Sequence, residues 1–257
     1  MSAETILQAG ALSILALGLA AVIALTFLSA PYGRHARAGW GPSIGARRGW
    51  HLMEAPAFFG FVGVALYHLV GPGLRAPVDP ASWILFALWI LHYGDRDLLY
   101  PRRLRDPYRP MPLAVVGMGF SFNLLNGPPN GLAVGLERHP VAWLLDPRFL
   151  GGVLLFLAGF GLNRASDARL LRLREANPGG YAIPRGGLFT WVSCPNYLAE
   201  IVQWIGWALA TGSLIGAAFA IFTACNLAPR ALQHHRWYRE NFPDYPPGRR
   251  ALLPFVL

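Results

Sequence analysis

Polar side chains recur at helical spacing in the C-terminal third of this chain, where apolar runs otherwise dominate. Asn163, Asp167 and Arg174 leave one such run together. At about 100° per residue, Asp167 falls about 40° and Arg174 about 20° from Asn163, so the three share one stripe. Asn196, Glu200, Gln203 and Trp207 fall within about 60° of each other on the next apolar segment. Arg230, His234 and Tyr238 repeat the pattern at i, i+4 and i+8. A carboxylate and two amides on one face of an apolar helix are unfavourable unless they meet a partner, which is either another helix or a ligand.

Between the first two stripes lies YAIPRGGLFTWVSCPNYLAE, Tyr181 to Glu200. Irregular backbone at the edge of hydrocarbon is tolerated where it packs in protein or lines a cavity, so this segment reads as a collar around a ligand. Pro195 suits a first helical turn and Ser193 can cap it. Further on, DYPPGRR presents Arg249 and Arg250, planar cationic forks suited to phosphate. In the N-terminal half, Glu54 in HLMEAPAFF and Tyr93 in LHYGDRD are isolated polar groups at the ends of apolar runs. A carboxylic acid beside a tyrosine would form an acid pair able to grip a carbonyl oxygen.

Other chemistries are excluded by what is missing. All 22 basic residues are arginine, so no lysine is present for Schiff-base catalysis. Cys194 and Cys225 stand apart without ligand spacing, and the seven histidines form neither HxxxH nor HxxHH, so no metal is expected. No glycine-rich phosphate loop stands between a strand and a helix, so a nucleotide would have to be held by membrane helices.

Membrane helices are what the composition supplies. The chain of 257 residues is 54% hydrophobic and 14% charged, with a mean hydropathy of +0.37; an ordinary soluble domain carries more charge. Apolar periodicity predicts seven transmembrane helices near 5–30, 53–72, 80–99, 111–127, 148–173, 195–210 and 214–239, an all-α polytopic membrane protein in one domain. The first run follows Glu4 rather than basic residues and resembles a spanning helix, not a cleaved signal. The last two helices form a tight hairpin, and the Pro/Gly clusters at 71–82 and 127–131 read as turns on the far face. Every arginine except Arg75, Arg138 and Arg148 falls in the loops and helix ends at the close of the first, third, fifth or seventh helix. By the positive-inside rule those segments, the collar and the C-terminus are cytoplasmic, and the N-terminus is outside.

The runs NRASDARLLRLR, YAIPRGGLFTWVSCPNYLAEIVQWIGWALATGS and APRALQHHRWYRENFPDYPPGRRALLPFVL resemble the C-terminal half of steroid 5-alpha-reductases, over about 100 residues from Gly161 onward. MEAPAFF and LHYGDRDLLYPRRLR are similar to that family's Glu and Tyr segments, in the same order. The resemblance implies a seven-helix membrane enzyme that reduces the 4,5 double bond of a 3-oxo-4-ene steroid with NADPH. Glu54 and Tyr93 then match the pair at the steroid 3-keto oxygen. Asn163, Asp167, Arg174, Asn196, Glu200, Tyr238 and Arg249 match cofactor-contacting positions, with Tyr181, Arg230, His234, Arg96 and Arg105 as further candidates. Two positions depart from the family pattern: Tyr197 stands where phenylalanine is common and Gln203 where glutamate is.

The implied chemistry is conjugate reduction of an enone, with hydride to C5 and a proton to C4. Residues 1–130 would mainly serve the steroid, arriving from lipid, and 148–257 mainly NADPH, arriving from the cytoplasm. The expected location is a bacterial inner membrane, or the endoplasmic reticulum in a eukaryote, with membrane lipids around it and neither nucleic acid nor an obligate protein partner. Three other readings stay open: a membrane methyltransferase of the isoprenylcysteine type, a reductase of another sterol or of an enoyl thioester, and a transporter or structural membrane protein that is not an enzyme.

Overall fold

The computed structural model of the chain describes residues 2–73, 77–104, 106 and 108–256. Helix α1, Ala3–Phe27, begins at Ser2, whose hydroxyl accepts from the Thr5 N–H, and ends where the backbone turns extended at Leu28. Helices α2 (Ala46–Ala55) and α3 (Phe61–Leu69) form one rod joined by a π turn at Pro56–Gly60. Pro56 has no N–H to give the helical ladder, and a wide turn absorbs that gap. Helix α4, Pro80–Tyr93, is capped by the Asp79 carboxylate on the Ser82 N–H and runs into a second π turn, Gly94–Leu99. The π turns directly follow the segments carrying Glu54 and Tyr93, and re-aim both ends toward the same interior.

The rest is α5 (Leu113–Leu136), α6 (Pro147–Ala176), α7 (Pro195–Thr211) and α8 (Leu214–Asn241). Gly212, in the left-handed region at φ 62°, and Ser213, which caps α8, make the α7–α8 hairpin as tight as the sequence predicts. Among the described residues, four rods are long and apolar enough to cross a membrane: α1, residues 46–69, α6 and α8. With their exposed leucines they describe an integral membrane protein that is mostly helical.

Three expectations are corrected. The 127–131 cluster is not a turn, because Gly127, Pro128, Pro129, Asn130 and Gly131 all lie inside α5. There the glycines are needed for contact: a Cβ on Gly127 would sit 2.6 Å from Ala57 Cα, and one on Gly131 2.6 Å from the Phe61 carbonyl oxygen. Close approach of two helix backbones admits only the smallest residues, and neighbouring helices make prolines tolerable in such a helix. The chain is also not purely helical. Ser43–Gly45 (β1) pairs antiparallel with Pro110–Pro112 (β2), a small ribbon at the mouth of the helix bundle. Finally, Ser193 does not cap α7. Its hydroxyl instead meets His235, Tyr245 and the Arg250 carbonyl, which helps dock the C-terminal segment against the collar.

The core between these rods is aromatic. Phe61, Phe156, Trp89, Trp204 and Trp207 are fully buried, and Phe61 stacks on Trp89 with ring centroids 4.5 Å apart. This cluster forms the floor beneath Tyr93, whose ring lies 4.8 Å from that of Trp89 and 5.8 Å from that of Trp204.

Candidate active site

A cavity of about 1640 Å³ opens among α1, α2, α5, α6, α7 and α8. One end is apolar, walled by Leu17, Ala21 and Ala24 of α1, Met118 and Phe122 of α5 and Phe222 of α8. The other end is lined by Arg96, Asp167, Arg174, Tyr181, Asn196, Glu200, Arg230, His234 and Tyr238. Glu54 and Tyr93 line the same cavity. Two chemically different environments thus share one space, an arrangement suited to an apolar substrate meeting a polar, anionic cofactor.

The polar end is cross-linked between helices. Arg96, beyond α4, reaches the Asp167 carboxylate on α6 at 3.4 Å, with its guanidinium over the Trp50 and Tyr100 rings at 4.8 and 4.9 Å. The Asn196 amide on α7 donates to the other Asp167 oxygen at 3.2 Å. Asn163 donates to the Asn196 carbonyl at 3.0 Å and approaches Glu200 at 3.5 Å. Three elements are held at one carboxylate, and the geometry of the site follows from that knot. On α8, His234 lies 3.1 Å from the Tyr197 hydroxyl and 3.0 Å from His35, and Arg230 donates to Tyr32.

Some expected residues stand elsewhere. Asn163 is not on the cavity wall; it pins α7 from behind. Gln203 and Trp207 meet other helices instead, Gln203 at the His92 imidazole (2.9 Å) and Trp207 at Asn130 (2.9 Å). Arg249 is buried over the Tyr245 ring at 4.9 Å, outside the cavity lining. Arg105 lies outside the described residues. Cys194 and Cys225 are both free thiols.

Two groups of residues escaped the sequence reading. The first is the segment after α1, Tyr32 to His35, which lines the polar end. Arg34 spreads over the rings of Tyr181, Trp237 and Tyr238 at 5.3, 5.0 and 4.4 Å, and its buried Nη1 has no hydrogen-bond partner among the described residues. A buried cationic donor left open in this way fits an anionic ligand. Arg109 ties the segment down by donating to the Gly33 carbonyl and the Tyr181 hydroxyl, both at 2.8 Å. Burial first, then the charges of Arg34, Arg230 and Arg37, holds His35 below the usual imidazole pKa. The pattern PYGRHAR directly after an apolar run was the available signal.

The second group is the asparagines of α5. Asn123 donates to the Met53 carbonyl at 2.8 Å and to Glu54 at 3.1 Å, which holds the carboxyl group in place. Asn126 donates to the Tyr93 hydroxyl at 3.2 Å. The i, i+3, i+7 spacing of Asn123, Asn126 and Asn130 carried this face, but the Pro-Pro pair between them argued for a turn.

A family profile described as 3-oxo-5-alpha-steroid 4-dehydrogenase matches residues 109–257. Over 264 residues the chain is 40% identical to a steroid 5-alpha-reductase of Gossypium hirsutum, covering 99% of each chain. It is 41% identical over 249 residues to 3-oxo-5-alpha-steroid 4-dehydrogenase 1 of Bos taurus, covering 94% of this chain and 93% of the relative. To 3-oxo-5-alpha-steroid 4-dehydrogenase 2 of Sus scrofa it is 42% identical over 212 residues, covering 82% and 81%.

Proposed function

The chain belongs to the 3-oxo-5-alpha-steroid 4-dehydrogenase family, and from that premise we propose that it reduces the 4,5 double bond of 3-oxo-4-ene steroids with NADPH. The observation that carries this reading is that one cavity is lined by Glu54 and Tyr93 together with apolar residues of α1, α5 and α8 and with Arg96, Arg174 and Arg230. Arg96, Arg174 and Arg230, with Arg34 as an open donor, would hold the anionic part of the cofactor, and Asp167, Asn196, Glu200, Tyr181, His234 and Tyr238 its polar groups. Bound there, NADPH would supply hydride chemistry for the reduction at C5.

The chain's own residues prepare the enone. The Tyr93 hydroxyl donates to the 3-keto oxygen, which draws electron density away from the conjugate position C5. As the bond forms, negative charge collects on that oxygen, and a donor already in place stabilises it without reorganisation. Glu54, oriented by Asn123, tunes the donor and replenishes its proton. The resulting enolate takes one proton from solvent at C4, so that hydride and proton together add two hydrogens across the C4–C5 bond. The aromatic floor of Trp89 and Trp204 keeps water from the pair, and both hydrogen bonds gain strength in that low-dielectric setting.

All seven rods cross the membrane in this reading, with the N-terminus outside and the arginine-rich segments, the collar and the C-terminus cytoplasmic. NADPH reaches the polar end from the cytoplasm, and the steroid reaches the apolar end between α1 and α5 from lipid. Residues 1–130 supply most of the steroid wall and 148–257 most of the cofactor contacts.

Purified protein is expected to oxidise NADPH only when a 3-oxo-4-ene steroid such as testosterone or progesterone is present, giving a 5-alpha-dihydro product by mass spectrometry. No turnover across a panel of such enones would overturn the reading. Arg174→Ala is expected to raise the Kd for NADPH about tenfold, the weight of one charge-assisted phosphate contact of roughly 1.5 kcal/mol. An unchanged Kd by equilibrium titration would remove Arg174 from the cofactor site.

A further inference from the structure

Packing fixes the ring of Tyr93, but not the direction in which its hydroxyl hydrogen points. That direction is set by a chain of buried hydrogen bonds whose polarity is decided at its far end. The Trp207 indole N–H can only donate, and it lies 2.9 Å from the Asn130 side-chain oxygen. The Asn130 amide therefore turns its NH₂ toward Asn126, donating to the Asn126 side-chain oxygen at 3.0 Å and to its carbonyl at 2.9 Å. With that oxygen taken, the Asn126 NH₂ faces Tyr93 and donates to its hydroxyl oxygen at 3.2 Å. Trp207, Asn130 and Asn126 are each at most 1% exposed, so water does not compete at any link. A hydroxyl that accepts from behind has its own hydrogen free for the other side, where Tyr93 borders the cavity.

We propose that Trp207, Asn130 and Asn126 form a one-way relay of positioning residues that holds the Tyr93 hydroxyl as a donor toward the substrate carbonyl. None of the three touches substrate; they act through Tyr93. The inference rests on Tyr93 being the carbonyl donor. It also gives a reason for a Pro-Pro-containing helix at this place: Asn126 and Asn130 flank the two prolines, and Gly127 and Gly131 bring α5 against the first π turn and the start of α3. A relay also resists reversal. Turning any one amide over would set its NH₂ against another donor, and the indole at the end cannot follow.

The test compares Asn126→Leu and Trp207→Phe in the native background and again with Tyr93→Phe. Asn126→Leu keeps the volume and leaves Asn130 its bond to the residue 126 carbonyl, but removes the donor behind Tyr93. Trp207→Phe keeps the aromatic floor and frees Asn130 to turn. In the native background kcat is expected to fall at least about tenfold for Asn126→Leu and about threefold for Trp207→Phe, with steroid KM within about threefold of wild type. In the Tyr93→Phe background neither change is expected to lower kcat further, since groups acting through one hydroxyl are non-additive. A second readout needs no turnover. The absorption maximum of a bound 3-oxo-4-ene steroid shifts to longer wavelength as its carbonyl is polarised, and the shift is expected to shrink in each single variant.

Equal losses with and without the Tyr93 hydroxyl would mean that the asparagines only hold the fold, and would overturn the relay. So would wild-type kcat and an unshrunken spectral shift in both single variants. If Asn126→Leu yields no folded protein, Trp207→Phe decides by the same criteria. A full spectral shift and full rate in Tyr93→Phe itself would remove Tyr93 as the donor, and the relay with it. That result is distinct from a shift lost in Tyr93→Phe but kept in the other variants, which rejects the relay alone.

Discussion

Tyr93→Phe is expected to reduce kcat roughly 10²- to 10³-fold while NADPH binding stays within about threefold of wild type, the effect of deleting one preorganised donor at a developing oxyanion. The substitution removes a single oxygen from a ring that remains packed on Trp89 and Trp204, so little else should move. Asn126 then faces a hydrocarbon edge instead of a hydroxyl, a local loss that does not reach the arginines. Glu54→Gln is expected to have a smaller effect, on the order of 10²-fold at most, because its amide keeps the shape and the contact to Asn123 but has no acidic proton to pass on. Steady-state kinetics with the best steroid of the panel, together with a fluorescence titration of NADPH, separate turnover from binding. Near-native kcat in both variants would remove the pair from the chemistry and leave the cavity as a binding site only.

Gly206→Leu is expected to unseat the cofactor half of the molecule. A Cβ at this position would lie 2.4 Å from the Phe156 backbone nitrogen and 2.6 Å from the Gly152 carbonyl oxygen, and backbone cannot step aside as a flexible side chain would. Helices α6 and α7 must then separate. Overpacking of this kind costs about 1–3 kcal/mol and occasionally more, which for a chain of this size lowers Tm by roughly 2–12 °C. The separation also breaks the contacts that join Asn163 and Asp167 on α6 to Asn196 on α7, so NADPH affinity is expected to fall with stability. Gly161→Leu, on the same helix as Gly152 but facing open space with no atom within 4 Å of the added Cβ, is expected to leave both unchanged. A native melting temperature for Gly206→Leu would contradict the contact between the two helices.

Much of this site could be read in the sequence because membrane helices leave few polar residues to interpret. Asp167, Arg174, Asn196, Glu200, Arg230, His234 and Tyr238 stood out as stripes on apolar runs, and the fold brings all seven to one cavity. Periodicity is local, so it tells which side chains share a face, not what that face meets. Gln203 and Trp207 share a stripe with Glu200 yet end against His92 and Asn130, because one turn further along α7 that face meets single side chains of α4 and α5 instead of the cavity. The same blindness hid Arg34 and His35, whose roles arise only when the segment after α1 folds back over α8.

What the sequence by itself determined was the order of the helices, the α7–α8 hairpin and the family, since these depend on runs, turns and residue patterns close together in the chain. The fate of the Gly-Pro-Pro-Asn-Gly cluster was decided by tertiary structure alone. Local propensity reads it as a turn, but packed against the first π turn and α3 it is the interior of α5, with glycines allowing contact and asparagines finding partners that no isolated segment offers. Glu54 and Tyr93, isolated in sequence, came to share a cavity for the same reason: the groups that hold them, Asn123 and Asn126, are 69 and 33 residues away.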